Sequence, residues 1–407
     1  MAVKQIDALG VKQVLRDAEK LFLQGMSGEP RSLHAIVQDD PETVSHLSVL
    51  TSFVSGINPY DCALISRAAN VTGFFPLPKD ATGNYRQIIS TYFGVSDAIR
   101  AFAADTVFIP VSRPDKDGMV TPGLSAEFVA ASLVSASQKV AIICPSLPVI
   151  PHDGCLYVDQ FSHSYIDDTP PRSLAPTGAA VDPVTGAIAD HLAGLICDNA
   201  TLQTGIGRVP GALFSKLTRH RKLKIHSGLI SGDVRMLVEA GAIDPDSLMH
   251  CATVMGSQDF YRWLDGRTDF QLYPIDHTHN PATLAEIEGL ITVNSAIEVD
   301  LLGQVNAEKA GDRYISAAGG LPDFSAAGHR SPGGCSIIAL PATDASGQRS
   351  RIVRRLSDDA PVTVPRTDVD YVVTEYGIAD LRGKTPDERT AALIDIALPD
   401  ARERLTP

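Results

Sequence analysis

Cysteine is sparse and poorly spaced in this chain: six residues among 407, at positions 62, 144, 155, 197, 251 and 335, with no CxxC pair. That scatter excludes a disulfide framework and a zinc ribbon, and all six are expected to be buried thiols. Positive charge is also short. Thirty-five Lys and Arg face 48 Asp and Glu, a formal net charge of −13 that argues against a nucleic-acid partner held by phosphate neutralisation. No apolar run reaches the roughly 18 residues that suggest a membrane span, so no membrane partner is expected. The opening MAVKQIDALG and the residues after it carry charges throughout and lack the apolar core of a secretory signal, and a cytoplasmic protein is expected.

What is present reads as an ordinary globular composition, 44% hydrophobic and 20% charged, long enough for two domains. Short apolar runs alternate with helical patterns. KVAIICPSLPVI (139–150) predicts a buried strand and its exit, and VTGAIADHLAGLI (184–196) repeats apolar residues at helical spacings. TLQTGIG (201–207) predicts a strand running into a glycine turn, GALFSKLTRH (211–220) the following helix, and KLKIHSGLI the next strand. CSIIALPAT (335–343) and DYVVTEYGIADL (370–381) continue the scheme. Repeated β-turn-α units imply an α/β fold with parallel sheets covered by helices. DTPPRSLAPTGAAVDP (168–183) has neither helical nor strand period and is the candidate linker, which puts the domains at 1–185 and 186–407.

Several segments carry residues suited to chemistry. Gly205 and Gly207 stand at a strand-to-helix turn, where backbone amides and a helix start suit phosphate or a developing oxyanion. A turn forced by packing explains them equally well. ISAAGGLPDF (315–324) offers a second small-residue loop through Gly319 and Gly320, with the same alternative. VNSAIEVDLLGQVNAE (293–308) gathers Asn294, Glu298 and Asp300 around a short strand, a pattern that a solvated strand end also explains. TEYG (374–377) sets Glu375 at the end of an apolar run, where parallel strands face a ligand crevice. HTHN brings His277 and His279 two apart; that spacing suits a strand edge or loop, no third ligand accompanies it, and no metal is expected.

In this order, SRPDKDGMVTPG (112–123), LQTGIGRVPGAL (202–213), KIHSGLIS (224–231), NSAIEVDLLGQVNAE (294–308), AAGGLPDF (317–324), GGCSIIALPAT (333–343), SRIVRRL (350–356) and DVDYVVTEYGIADLRGK (368–384) resemble the acetyl-CoA hydrolase/transferase family, which includes the 4-hydroxybutyrate CoA-transferase type. The resemblance implies two similar open, mostly parallel-sheet α/β domains with acyl-CoA bound in the cleft between them, coenzyme A entering as substrate, no metal, and a homodimer. It also implies covalent chemistry. A glutamate attacks the thioester to give an acyl–glutamyl anhydride, CoA returns to form a glutamyl thioester, and an incoming carboxylate leaves as the new acyl-CoA, with glycine-loop amides at Gly205, Gly207, Gly319 and Gly320 holding the oxyanions. The family's GGQ loop is GGL here, with Leu321 in the polar position.

One departure is larger. The family's strand ends in IHTE or IHSE, and its glutamate position is held here by Gly228, after His226 and Ser227. Neither anhydride nor glutamyl thioester can form on glycine. Three outcomes follow. Direct acyl transfer to water or to a non-carboxylate small-molecule acceptor is favoured, with Asn294 and the glycine loops retained and His226 or Glu375 as general base. Ordinary CoA transfer through a substitute residue, Glu298 or Glu375, is the second, and acyl-CoA binding without turnover the third. His226 equally suits a core histidine satisfied by backbone.

Overall fold

The computed structural model describes residues 3–77, 84–174 and 181–406, so part of the expected linker, 175–180, lies outside the described residues. The chain forms two units of α/β architecture. One comprises residues 1–175 and 250–277, the other 176–249 and 278–407.

The first unit is built on eight strands, Lys4–Gln5 (β1), Lys20–Leu23 (β2), Ser48–Thr51 (β3), Asn70–Gly73 (β4), Tyr85–Gln87 (β5), Thr106–Val111 (β6), Gln138–Ile143 (β7) and His163–Ile166 (β8). Their order is β1-β8-β7-β6-β2-β3-β4-β5, and every pairing is parallel. An all-parallel sheet is covered on both faces, so its central strands carry apolar residues at successive positions rather than alternately. Strand β6 does so: Val107, Phe108, Ile109 and Val111 are all buried.

The second unit carries Thr201–Thr204 (β9), Lys224–Ser231 (β10), Leu290–Asn294 (β11), Glu298–Asp300 (β12), Val305–Asn306 (β13), Cys335–Ala339 (β14), Ile352–Val353 (β15), Tyr371–Thr374 (β16) and Gly377–Asp380 (β17). Within this unit the strands of the main sheet are ordered β10-β9-β11-β14-β16-β17, parallel up to β16. Strands β13, β12 and β15 form a small separate sheet. The strand order reverses between β9 and β11. In open parallel sheets the carboxyl ends at such a reversal splay the connecting loops apart and leave a crevice for a ligand.

Four expectations change on the structure. The cut near residue 185 falls inside the helix Pro183–Ala193, whose start is capped by Asp182 accepting from the Thr185 amide. The second half is also interrupted, because residues from 250 return to the first unit: Ala126 N–H donates to Ala252 O and Val254 N–H to Leu124 O. The run 370–381 is a β16–β17 hairpin: Thr374 pairs with Gly377, and the two residues between them, Glu375 and Tyr376, turn the chain back so that the strands are antiparallel. Finally, Cys155 and Cys197 are exposed and Cys62 is half-buried, since these three lie in connecting segments, while Cys144, Cys251 and Cys335 are buried.

Candidate active site

Strand β10 outruns its neighbour. It pairs with β9 only at Thr201↔Lys224 and Leu202↔Ile225, then continues to Ser231. Residues 226–228 therefore sit at the carboxyl end of β9, beside the crevice. Side chains alternate along a strand, so His226 and Gly228 share one face and Ser227 takes the other. The Ser227 hydroxyl donates to Thr204 O at 3.0 Å, within the sheet. His226 is 4% exposed, and its Nε2 lies 2.9 Å from Thr278 O. A carbonyl only accepts, so Nε2 carries the proton and a neutral ring keeps Nδ1 as its basic nitrogen.

The face shared by His226 and Gly228 is covered by the next residue of that same segment, His279. A Cβ added to Gly228 would stand 2.5 Å from His279 Cε1 and 2.9 Å from Nε2. A Cβ on Gly320 would meet Nε2 at 2.5 Å and Cδ2 at 2.9 Å. The imidazole thus lies between two glycines that cannot carry side chains while it stays there. Phe324 closes the nest, its ring centroid 4.6 Å from that of His279. The helix Leu321–Arg330 sets this ring in place: Gly320 precedes it, Pro322 lies in its first turn, and Phe324 is on its buried side.

His279 is 2% exposed, and Thr278 Oγ1 is 3.0 Å from its Nδ1. Burial, with a smaller contribution from the neighbouring His226, pushes its pKa down to about 3. The ring is neutral at physiological pH.

The other glycines behave differently. Nothing lies within 4 Å of a Cβ added to Gly205 or Gly207, so packing does not explain either. Gly207 has φ +126°, a backbone conformation that L side chains rarely adopt, and opens the helix Arg208–Lys216. Gly319, at φ +56°, is also required by its backbone, whereas Gly320 is required only by His279. One strand away from the Gly205 turn, Asn294 and Gln203 exchange side-chain hydrogen bonds, Nδ2 to Oε1 at 3.0 Å and Nε2 to Oδ1 at 3.3 Å. Gly205, Gly207 and Asn294 are thus brought to the β9–β11 reversal, with His226, Gly228 and Gly320 beside it around His279.

Glu298 and Glu375 are not brought there. Glu298 Oε1 accepts from Asn306 Nδ2 at 3.1 Å and from the Ser357 amide at 3.4 Å, in the small sheet. Glu375 follows β16, four strands from β10, which at about 4.8 Å per strand is roughly 19 Å away. Its Oε2 accepts from the Ala342 amide at 2.8 Å.

His279 is the residue that sequence reasoning passed over. HTHN was expected as a strand edge or loop, but Ile275–Thr278 is a helical turn. His277 stacks on Tyr273, ring centroids 4.1 Å apart, while His279 packs on Phe324. Among the described residues no three His, Cys, Asp or Glu are grouped to hold a metal ion. A signal for His279 did exist: a glycine inside a strand marks a place where another group approaches closely.

Comparison with known proteins places these features in context. Residues 256–407 match the acetyl-CoA hydrolase/transferase C-terminal domain. The chain is 36% identical over 313 residues to a 4-hydroxybutyrate coenzyme A transferase of Clostridium kluyveri, covering 74% of this chain and 71% of that protein. It is 30% identical over 358 residues to a succinyl-CoA:cyclohexane-1-carboxylate CoA transferase of Geobacter metallireducens, covering 86% and 79%. The crystal structure of a 4-hydroxybutyrate CoA-transferase from Porphyromonas gingivalis superposes with a TM-score of 0.83 at 26% identity, over 99% of this chain and 96% of that one.

Proposed function

Because the chain belongs to the acetyl-CoA hydrolase/transferase family, we propose that it moves the acyl group of an acyl-CoA directly to water or to a non-carboxylate acceptor, with no acyl group resting on a side-chain carboxylate. The observation that carries this reading is at residue 228. The position that the resemblance assigns to the nucleophile is held by Gly228, and a side chain there would enter the space of the neutral imidazole of His279. Glu298 and Glu375, the substitutes suggested by the sequence, are engaged elsewhere.

The chemistry then runs in one displacement. The acceptor oxygen or nitrogen attacks the thioester carbonyl, the C–S bond breaks, and CoA leaves as thiolate to take up the acceptor's proton; with water the products are the free acid and CoA. Amides of the open Gly205–Gly207 turn, at the start of the helix Arg208–Lys216, suit the oxyanion that develops on the carbonyl. His226, on the same strand face as Gly228, is the residue suited to relay the acceptor's proton to the departing thiolate.

The test uses the purified chain with a panel of acyl-CoAs, with and without acetate, following free thiol and acyl exchange together and probing for a hydroxylamine-sensitive acyl-enzyme. Thiol release without exchange or adduct is expected with water as acceptor. Prompt acyl exchange, or an adduct on any Asp or Glu, overturns the reading in favour of the ordinary transferase. Silence across a panel that also includes amines and alcohols overturns it in favour of a binder.

A further inference from the structure

We propose that His279 is the specificity-determining residue of this site: by filling the nest between Gly228 and Gly320 it bars any side chain at 228, and so decides whether the fold transfers acyl groups through the protein or past it. This rests on the reading above that the chain acts on acyl-CoA.

The argument is steric before it is chemical. Real Cβ atoms essentially never approach a neighbour within 3.0 Å, and two separate glycines meet the same ring at 2.5 Å. They lie 92 residues apart in sequence, one in the body of β10 and one before the helix Leu321–Arg330. Neither has a backbone conformation that demands glycine, since only Gly319 of that loop has positive φ. What they share is His279. The ring is itself fixed, with Thr278 Oγ1 at Nδ1 and Phe324 on its flank, so it cannot swing aside at little cost. Replacing Gly228 alone therefore cannot restore a working nucleophile. Removing the imidazole should leave a cavity about the size of a small carboxylate, beside the strand position where the family's nucleophile stands.

The consequence is a coupled pair. In Gly228→Glu/His279→Gly the introduced carboxylate has room to attack the thioester carbonyl: its oxygen forms the C–O bond of an anhydride while the C–S bond breaks and CoA leaves as thiolate. The thiolate then attacks the introduced residue's own carbonyl, releasing the first carboxylate and leaving a thioester on the protein. A second carboxylate reverses both steps and departs as the new acyl-CoA. Every group needed comes from the two substrates and the one side chain.

Four proteins make the test: the parent, Gly228→Glu, His279→Gly and the double variant, each assayed for the ratio of acyl exchange to thiol release. The double variant is expected to raise that ratio at least about tenfold over the parent and over either single variant. Sodium formate or acetate added to His279→Gly should stabilise it, as a shift in Tm that the parent lacks. Folding gives a readout independent of activity. Gly228→Ala and Gly320→Ala should each lower Tm by roughly 3 °C or more in the parent, and by clearly less in a His279→Gly background. Equal Tm losses in both backgrounds, or exchange by Gly228→Glu with His279 intact, overturn the proposal. A failure of the acyl-CoA reading looks different: no variant acts on thioesters, yet the stability coupling between 228, 279 and 320 remains.

Discussion

The two glycine pairs of the second unit sit close together in the fold and exist for opposite reasons. Gly228 and Gly320 are glycine because something is already there: a Cβ on either would run into the His279 ring. Gly205 and Gly207 face space with no protein atom within 4 Å of an added Cβ. A filled notch contributes stability and sets which residues the site can hold, whereas an open turn leaves its backbone amides to a ligand. Residue type alone cannot separate the two cases.

The sharpest way to break this contrast is to put a large acidic side chain on the filled side. Gly228→Glu should be the most damaging substitution at the site, because it overpacks the nest and buries a carboxylate against a neutral ring. Overpacking alone costs about 1–3 kcal/mol, and an unpaired buried charge adds to it, so a loss of at least ~3 kcal/mol is expected in urea unfolding. A variant as stable as the parent would mean that His279 yields easily and that the notch is not filled in any meaningful sense.

A second test titrates the filled side. The folded pKa of His279 is about 3, against an ordinary value of 6.5. Between those values the unfolded chain binds a proton that the folded chain does not, so protonation favours unfolding. The contribution of the neutral ring is intact above pH 6.5 and is lost as pH falls toward 3. Other groups titrate in the same range, so the useful quantity is the difference between the parent and His279→Gln. From pH 7 to pH 5 the parent should lose ~1–2 kcal/mol more than the variant, since one pH unit is worth at most about 1.4 kcal/mol per proton. Parallel curves would mean that the ring is solvated and titrates normally.

The open side should respond in activity and not in stability. Gly205→Ala meets no neighbour and needs no positive φ, so its stability should stay within ~0.5 kcal/mol of the parent. If its amides approach a thioester, the added methyl obstructs that approach, and kcat/KM for thiol release should fall about tenfold, equivalent to ~1.4 kcal/mol. The reverse pattern, lost stability with unchanged kinetics, would return Gly205 to the role of a packing turn.

These distinctions mark what the sequence could carry. The parallel strands were legible because burial on both faces leaves apolar runs, as in Val140–Ile142 or Ile337–Ala339, and the β9-helix-β10 unit was legible from its glycine turn. Strand direction was not: DYVVTEYGIADL reads as one more repeat, and only the two-residue turn at Glu375 and Tyr376 makes it a hairpin. Nor was the return of 250–277 to the first unit, which rests on hydrogen bonds between residues more than a hundred positions apart. His279 was hidden for the same reason. Its partners, 228 and 320, lie about fifty residues before it and forty after, and no local period links them.

The smallest effect bears on whether the open side recruits a distant carboxylate. Glu375→Gln removes the charge from the residue that sequence reasoning ranked as a candidate base and substitute nucleophile. Its Oε2 accepts from the Ala342 amide, and a glutamine carbonyl can accept the same bond, so folding should be little affected. At four strands from β10, neither oxygen is within bonding reach of a thioester held at Gly228 or at the Gly205–Gly207 turn. Thiol release should then stay within about twofold of the parent, far from the 10²–10⁴-fold that loss of a general base brings. A collapse of the rate by those factors would show that the reacting carbonyl sits near β16 instead, and the filled notch and the open turn would both have to be read as features of the scaffold.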